Sequence, residues 1–127
     1  MISADYVRGF VDGEGCFYIL TSQRIACEFQ VSQKSKGVLE EIQCFFGCGY
    51  IKRKYDKSGT YVYVVKDVHN LFKVIVPFFK ENPLVVKREQ FSKFSRVVEL
   101  QYKKLHLTKQ GKEQIARIKM GTSETIR

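Results

Sequence analysis

Within the first fifteen residues, Asp12 and Glu14 alternate with Gly13 and Gly15 at the end of the run VRGFVDGEG, Val7 to Gly15. Ser3 can cap a helix here, Asp5 suits its first turn, and the two glycines mark its end, so the helix spans about residues 3–14. Both later acids then sit at the carboxyl end, where the macrodipole disfavours negative charge by roughly 0.3–1 kcal/mol each. A divalent cation would offset that cost, which makes the pair a candidate metal site; a capping or surface acid is the commoner explanation of the same residues. Gly9 and Gly13 lie four apart and stack on one side of the helix, at a cost of about 0.5–1 kcal/mol each. Bare positions like these let another backbone come close, either the chain's own sheet or a second helix.

Other reactive constellations are missing. No Ser–His–Asp or Cys–His nucleophile set is visible, so any hydrolysis would use water as the attacker. Cys44 and Cys48 are loosely spaced for a metal pair, and His69 and His106 lie far away in sequence. Together with Cys16 and Cys27 they read as buried, reduced thiols, and zinc is not expected.

The composition supports one folded domain over 1–127 with a polyanionic partner. Its 44% apolar content, ten phenylalanines and seven tyrosines can fill one core. Twenty-two Lys and Arg against thirteen Asp and Glu leave a net charge of +9. Nucleic acid and acidic membrane are the two ordinary candidates. The basic residues run from Arg8 to Arg127 with no apolar span beside them, and Met1 to Phe10 has no signal-peptide pattern. The chain therefore reads as soluble and intracellular, with no membrane partner.

The elements that must position the acids follow from periodicity. After the first helix, Cys16 to Thr21 reads as a strand. Ile25 to Ser32 alternates, with Ile25, Cys27, Phe29 and Val31 on one face and Ala26, Glu28, Gln30 and Ser32 on the other. Ser35 opens a helix carrying Val38, Leu39, Ile42, Phe45 and Phe46, which Gly47 closes. A second hairpin pairs Tyr50–Tyr55 with Tyr61–Val65 around Asp56 to Gly59. Asp67 can cap a helix over Val68 to Lys80, and Pro83 marks the break after it. C-terminal helices follow within about 88–120: Arg88 to Leu105, then Lys109 to Met120, capped by Thr108 and ended by Gly121. The order αββαββα predicts an α+β fold with a four-stranded antiparallel sheet, helices on one face and the other face left for a partner.

The run VRGFVDGEG, followed by Cys16 and Phe17, resembles the signature of the LAGLIDADG homing endonucleases in the variant whose final acid is glutamate. Val7 takes the leading apolar position, Gly9 and Gly13 the small interface positions, Asp12 the first acid, Glu14 the second and Gly15 the closing glycine; Arg8 replaces the usual alanine. Further segments resemble family landmarks in the expected order: FQVSQK at Phe29–Lys34, FGCGYIKRK at Phe46–Lys54, HNLFKVIVPFF at His69–Phe79, PLVVKREQF at Pro83–Phe91 and HLTKQG at His106–Gly111.

The resemblance implies a saddle-like sheet and a site-specific double-strand DNA endonuclease. Motif helices from two like units would pack through Val7, Gly9, Phe10, Asp12 and Gly13. Glu14 would be the metal ligand, helped by the Gly13 backbone oxygen, while Asp12 would brace the helix end. Magnesium fits, since it takes few protein carboxylates and shares phosphate oxygens, and manganese or calcium could substitute for binding. Gln33 matches a family position that orders the attacking water. Lys87 matches one that stabilises developing negative charge, although Arg88 is an adjacent competitor.

Strand alternation nominates the DNA-reading residues: Arg24, Ala26, Glu28, Gln30 and Ser32 on the second strand, with Lys34 beyond it, and Tyr50, Lys52 and Lys54 on the third. The fourth strand is apolar on both faces, so Tyr61 and Tyr63 are assigned outward by the family's register alone. One motif copy supplies half a site. A homodimer on a long, roughly palindromic target is therefore expected, and the family resemblance further implies cleavage across the minor groove leaving short 3′ overhangs. The rival reading is an RNA-binding intron maturase of the same fold, with intron RNA as its partner.

Overall fold

The computed structural model describes residues 2–125, and the side chains of residues 2–120. Helix α1 (Ala4–Glu14) begins at Ser3, whose Oγ accepts from the Tyr6 N–H at 3.1 Å. It passes into strand β1 (Gly15–Leu20) without a loop. Gly15 makes that junction possible: a Cβ there would lie 2.7 Å from Val11 Cγ1 and 2.9 Å from the Val11 carbonyl oxygen. Any side chain would push the helix end off the strand. The last residues of α1 are thereby fixed relative to the sheet.

Strand β2 (Ala26–Gln33), helix α2 (Lys36–Phe46), and strands β3 (Tyr50–Arg53) and β4 (Tyr61–Val65) complete an antiparallel sheet of order β1-β2-β4-β3. The register pairs Gly15 with Val31, Phe17 with Phe29 and Val31 with Tyr63. Paired residues share a face, so these side chains all meet the helices. Helix α1 packs on β1 and β2, α2 on β2, β3 and β4, and α5 (Arg88–Tyr102) on β1 and β2. The chain is thus a two-layer α+β unit whose opposite sheet face carries no helix layer among the described residues.

Aromatic rings dominate the core. Phe17 lies 5.2 Å from Phe29 and 5.1 Å from Phe94, centroid to centroid, and Phe79 and Phe91 close the same cluster. Val7 and Val11 from α1, and Leu39 and Ile42 from α2, belong to the same buried core. Each buried Val, Leu or Phe contributes about 1.5–3 kcal/mol of transfer free energy. Through Val7 and Val11 the motif helix is anchored to this core.

Three elements depart from the sequence periodicity. The helix expected over Val68–Lys80 is α3 (Val68–Asn70), a π-helical turn (Leu71–Ile75) and α4 (Val76–Glu81) in direct succession. Pro77 has no N–H, and its ring crowds the carbonyl four residues back; the wider turn, with Val76 N–H donating to the Leu71 oxygen, relieves that conflict. Helix α5 stops at Tyr102 because Lys104 adopts φ 61, and a 3-10 turn (Leu105–Leu107) follows. Helix α6 (Lys109–Thr125) runs through Gly121 instead of ending there. Its start agrees with the expected cap, since Thr108 Oγ1 accepts from Gly111 N–H at 2.9 Å.

All four cysteines are free thiols, but only Cys27 is buried: Cys44 is exposed, and Cys16 and Cys48 are half-buried. The expectation of four buried thiols is corrected, because Cys44 falls on the outer side of α2. Burial pushes the Cys27 thiol up to about 12. A colorimetric disulfide titration of native protein should therefore modify Cys44 first and leave Cys27 unreacted until denaturant is added.

Candidate functional site

The end of α1 gathers the acids and their supports. Asp12 turns back into its own chain, where its carboxylate accepts from three consecutive backbone N–H groups. Val85 N–H reaches Oδ2 at 3.1 Å, Val86 N–H reaches Oδ1 at 2.9 Å, and Lys87 N–H reaches Oδ1 at 3.0 Å. Burial raises the Asp12 pKa, but the N–H groups of Lys87, Val86 and Val85, with the Lys87 charge, outweigh it and hold the carboxyl below the usual aspartate value. Those donors belong to the segment after Pro83 and have no side-chain signature, so nothing in the sequence marks Val85 and Val86 as Asp12's partners. The acid closes the gap between α4 and α5 onto α1.

Replacing Asp12 by alanine should cost about 1–3 kcal/mol, since three N–H groups lose a charged acceptor. A group with a lowered folded pKa contributes stability that is complete above its unfolded value, near 3.8, and is lost as pH falls through the folded pKa. Thermal melts of wild type and Asp12→Ala should therefore differ at neutral pH and converge in strong acid.

Glu14 differs in every respect. It is exposed, lies at the last residue of α1, and immediately precedes Gly15. The Gly13 carbonyl shares that final turn, where helical geometry leaves oxygens without intrahelical donors. Lys87 reaches the same place: its Nζ lies 3.5 Å from the Val11 carbonyl oxygen, at the negative end of the helix. Pairing of Gly15 with Val31 brings the end of β2, with Gln33 and Lys34, alongside. The Gln33 Oε1 accepts from the Lys34 N–H at 2.9 Å. Arg88 points elsewhere, its Nε donating to the Leu84 oxygen at 3.4 Å. Glu14, Gly13, Gln33 and Lys87 thus share one end of the sheet.

Among the described residues no group of three His, Cys, Asp or Glu side chains could hold a metal by itself. One carboxylate and one backbone oxygen suit a hard cation that keeps waters and takes further oxygens from a phosphate substrate. The donor chemistry fits magnesium better than a soft metal, which would need thiolate or imidazole.

The outer surface of α1 answers the question left open by its glycines. A Cβ at Gly9 or Gly13 would meet nothing within 4 Å, so neither glycine packs on the chain's own sheet. The same helix carries the stacked rings of Tyr6, 48% exposed, and Phe10. Val7 is corrected out of this surface: it is fully buried against the chain's own core and has no area to offer a partner. The 3.6-residue period puts Val7 and Val11 opposite the glycines.

On the open face, register aligns Cys16, Tyr18 and Leu20 of β1 with Gln30, Glu28 and Ala26 of β2. Ser32 lies opposite Val62, and Lys52 of β3 is paired with the same valine; Val64 lies between Gln30 and Tyr50. Glu28, Gln30, Ser32, Tyr50 and Lys52 therefore lie where alternation put them. Lys54 follows β3 and Lys34 follows β2, while exposed Arg24 belongs to the β1–β2 connection and not to a strand.

Tyr61 and Tyr63 are corrected: both point to the helix side. Tyr63 is fully buried, its ring 6.2 Å from Phe29, and its hydroxyl donates to the Cys48 oxygen at 2.7 Å. Tyr61 packs half-buried at the edge of the same core, with Lys36 Nζ 5.6 Å from its ring centroid. Valines and tyrosines alternate along β4, and both kinds are buried, so only pairing with Val31 could settle which set faces in.

A cleft of about 1130 Å³ lies at the opposite end of the sheet from Glu14. Arg24, Ala26, Glu28 and Lys66 line it together with Lys112 and Lys119 of α6. It continues the open face toward the lysines of the C-terminal helix. No helix among the described residues is long and apolar enough to cross a membrane.

The described residues thus form an αββαββα unit with one sheet face free of helices, Lys52 on that face with Arg24, Lys34 and Lys54 at the strand ends, and a glycine-faced helix ending in the exposed carboxylate of Glu14. The chain belongs to the LAGLIDADG endonuclease family, whose profile matches residues 7–98. It is 30% identical over 101 residues to the homing endonuclease I-ApeII of Aeropyrum pernix, covering 73% of this chain and 60% of that protein. It is 34% identical over 97 residues to the Mycosarcoma maydis protein named "probable intron-encoded DNA endonuclease 1", covering 72% of this chain and 35% of that one.

Among solved structures, the homing endonuclease I-TnaI superposes with a TM-score of 0.85 at 34% identity, covering 94% of this chain and 87% of that one. I-GzeII, solved in complex with its DNA target, gives 0.82 at 30%, covering 94% of this chain and 43% of that one. The chain thus spans only part of the curated relatives it matches. The four-stranded antiparallel fold expected from its sequence is the fold found in these enzymes.

Proposed function

We propose that this protein is a homing endonuclease that cuts both strands of a long, roughly palindromic DNA site as a homodimer, using magnesium-dependent hydrolysis. The observation that carries the proposal is the division of labour at the end of α1. Asp12 is fully engaged within the chain, whereas Glu14 stands exposed at the end of the helix whose Val11 oxygen accepts from Lys87. I-GzeII was solved bound to a DNA target. Intron coding fits the naming of the Mycosarcoma maydis relative.

Glu14 and the Gly13 oxygen would hold the cation between protein and phosphate, with manganese or calcium able to support binding. Magnesium bound there would neutralise charge and lower the pKa of water at the phosphodiester. Gln33 orients the attacking water by hydrogen bonding. Lys87 places positive charge where negative charge grows on the phosphate during in-line displacement. Water adds to phosphorus as the P–O3′ bond breaks, and the 3′ oxygen takes up a proton, leaving a 5′-phosphate and a 3′-hydroxyl. The open faces of two protomers lie in successive major grooves, each with Arg24, Lys52 and Lys54 available to phosphates or guanines.

The two motif helices meet across Gly9 and Gly13, with Tyr6 and Phe10 flanking the seam. Each protomer contributes one Glu14, so pairing is what makes a two-strand cut possible.

The test is direct. Purified protein with magnesium is mixed with plasmid DNA carrying the uninterrupted insertion site of its intron, and linear product with short 3′ overhangs is expected. Tight binding of the intron RNA with that plasmid left intact would replace this reading with the maturase one.

A further inference from the structure

We infer that Glu28 and Gln30 act as one reading unit that selects, on the DNA strand they face, a base bearing an exocyclic amino group on its major-groove edge, and that rejects guanine most strongly. The inference rests on the DNA-reading role proposed above and adds the chemistry of one position. The Gln30 Nε2 donates to Glu28 Oε1 at 2.8 Å. Both side chains lie on the open face of β2, with Tyr18 opposite Glu28, and with Cys16 and Val64 flanking Gln30 on the neighbouring strands. Lys66, which lines the same cleft as Glu28, holds its ammonium over the Tyr50 ring, 5.7 Å from the centroid.

A free glutamine amide can turn over and present either its N–H groups or its oxygen. An ionised carboxylate only accepts, so the contact fixes the amide nitrogen toward Glu28 and uses one of its two N–H groups. The pair then offers the remaining carboxylate lone pairs, the Gln30 Oε1 and a single N–H. It is dominated by acceptors and carries a full negative charge. Such a group gains nothing near phosphates, which it repels, so on a DNA-facing surface its use is at base edges.

In the major groove cytosine presents the N4 amino group and adenine the N6 amino group. Guanine presents the N7 and O6 acceptors, and thymine the O4 acceptor and a methyl group. Acceptors facing acceptors exclude the last two, and guanine, with two, fares worst. The bonded tips are 2.8 Å apart, less than the base-pair rise of about 3.4 Å, so the unit covers one base step.

The experiment selects bound duplexes from a pool randomised across the target, using wild type, Glu28→Gln and Glu28→Lys. Wild type should favour adenine or cytosine over guanine by about tenfold at one position in each half-site. In Glu28→Gln, whose new amide can donate, that position alone should flatten. In Glu28→Lys it should turn to guanine. Identical profiles in all three proteins would overturn the inference, as would a loss of selectivity spread evenly along the site with lowered thermal stability. A wild type that selects sequence but shows no amino-base position removes this inference alone. A wild type that selects nothing removes the DNA-reading role with it.

Discussion

Glu14→Gln should bind target DNA within about threefold of wild type and cut it at least ~10³-fold more slowly. The substitution keeps the shape of the side chain and removes its charge, so it separates cation binding from packing. Glu14 is exposed and lies at the unfavourable end of the α1 dipole. Neutralising it should leave folding unchanged or improve it by about 0.3–1 kcal/mol. Gel-shift binding, plasmid linearisation and a thermal melt on the same preparation read the three effects separately. Retained cutting at the wild-type rate would remove Glu14 from the chemistry. A lowered melting temperature would make it a structural acid like Asp12.

Gly9→Leu should act in opposite directions on the fold and on the assembly. Nothing in the chain lies within 4 Å of a Cβ at Gly9. A leucine there gains helix propensity of roughly 0.8–1 kcal/mol over glycine, so the protomer should melt higher. Across a two-fold seam the same side chain appears twice where two backbones must meet. Overpacking of about 1–3 kcal/mol at each copy weakens association by roughly 30-fold or more. Sedimentation should show a dimer for wild type and monomer for the variant at the same micromolar concentration, and double-strand cleavage should disappear. A variant that stays dimeric and cuts would place the seam elsewhere.

The two predictions divide the motif as the structure does. Asp12 is bound by three backbone donors and stabilises the domain; Glu14 is unengaged within the chain; and the glycine face is bare. The segment after Pro83 is tied to α1 by the same contacts that set Lys87 beside the helix end. Losing Asp12 should therefore displace Lys87 as well as destabilise the fold.

By itself the sequence determined the class of fold. Strict alternation from Ile25 to Ser32, helical spacing over Val38 to Phe46, and the caps at Ser3, Asp67 and Thr108 are local signals, and local physics sufficed for them. The motif letters likewise nominated Glu14, Gly13 and Gly9, and resemblance to further family landmarks nominated Gln33 and Lys87. Only tertiary structure decided which face of β4 looks inward, because its valines and tyrosines are equally apolar and the choice belongs to pairing with Val31. It also decided that Val7 is core, since a helix's apolar stripe and its seam differ by a rotation that the letters do not record. The partners of Asp12 are backbone N–H groups more than seventy residues away, and a backbone donor leaves no trace in residue type. What the acids of VRGFVDGEG do therefore depended on what the fold brings to each of them.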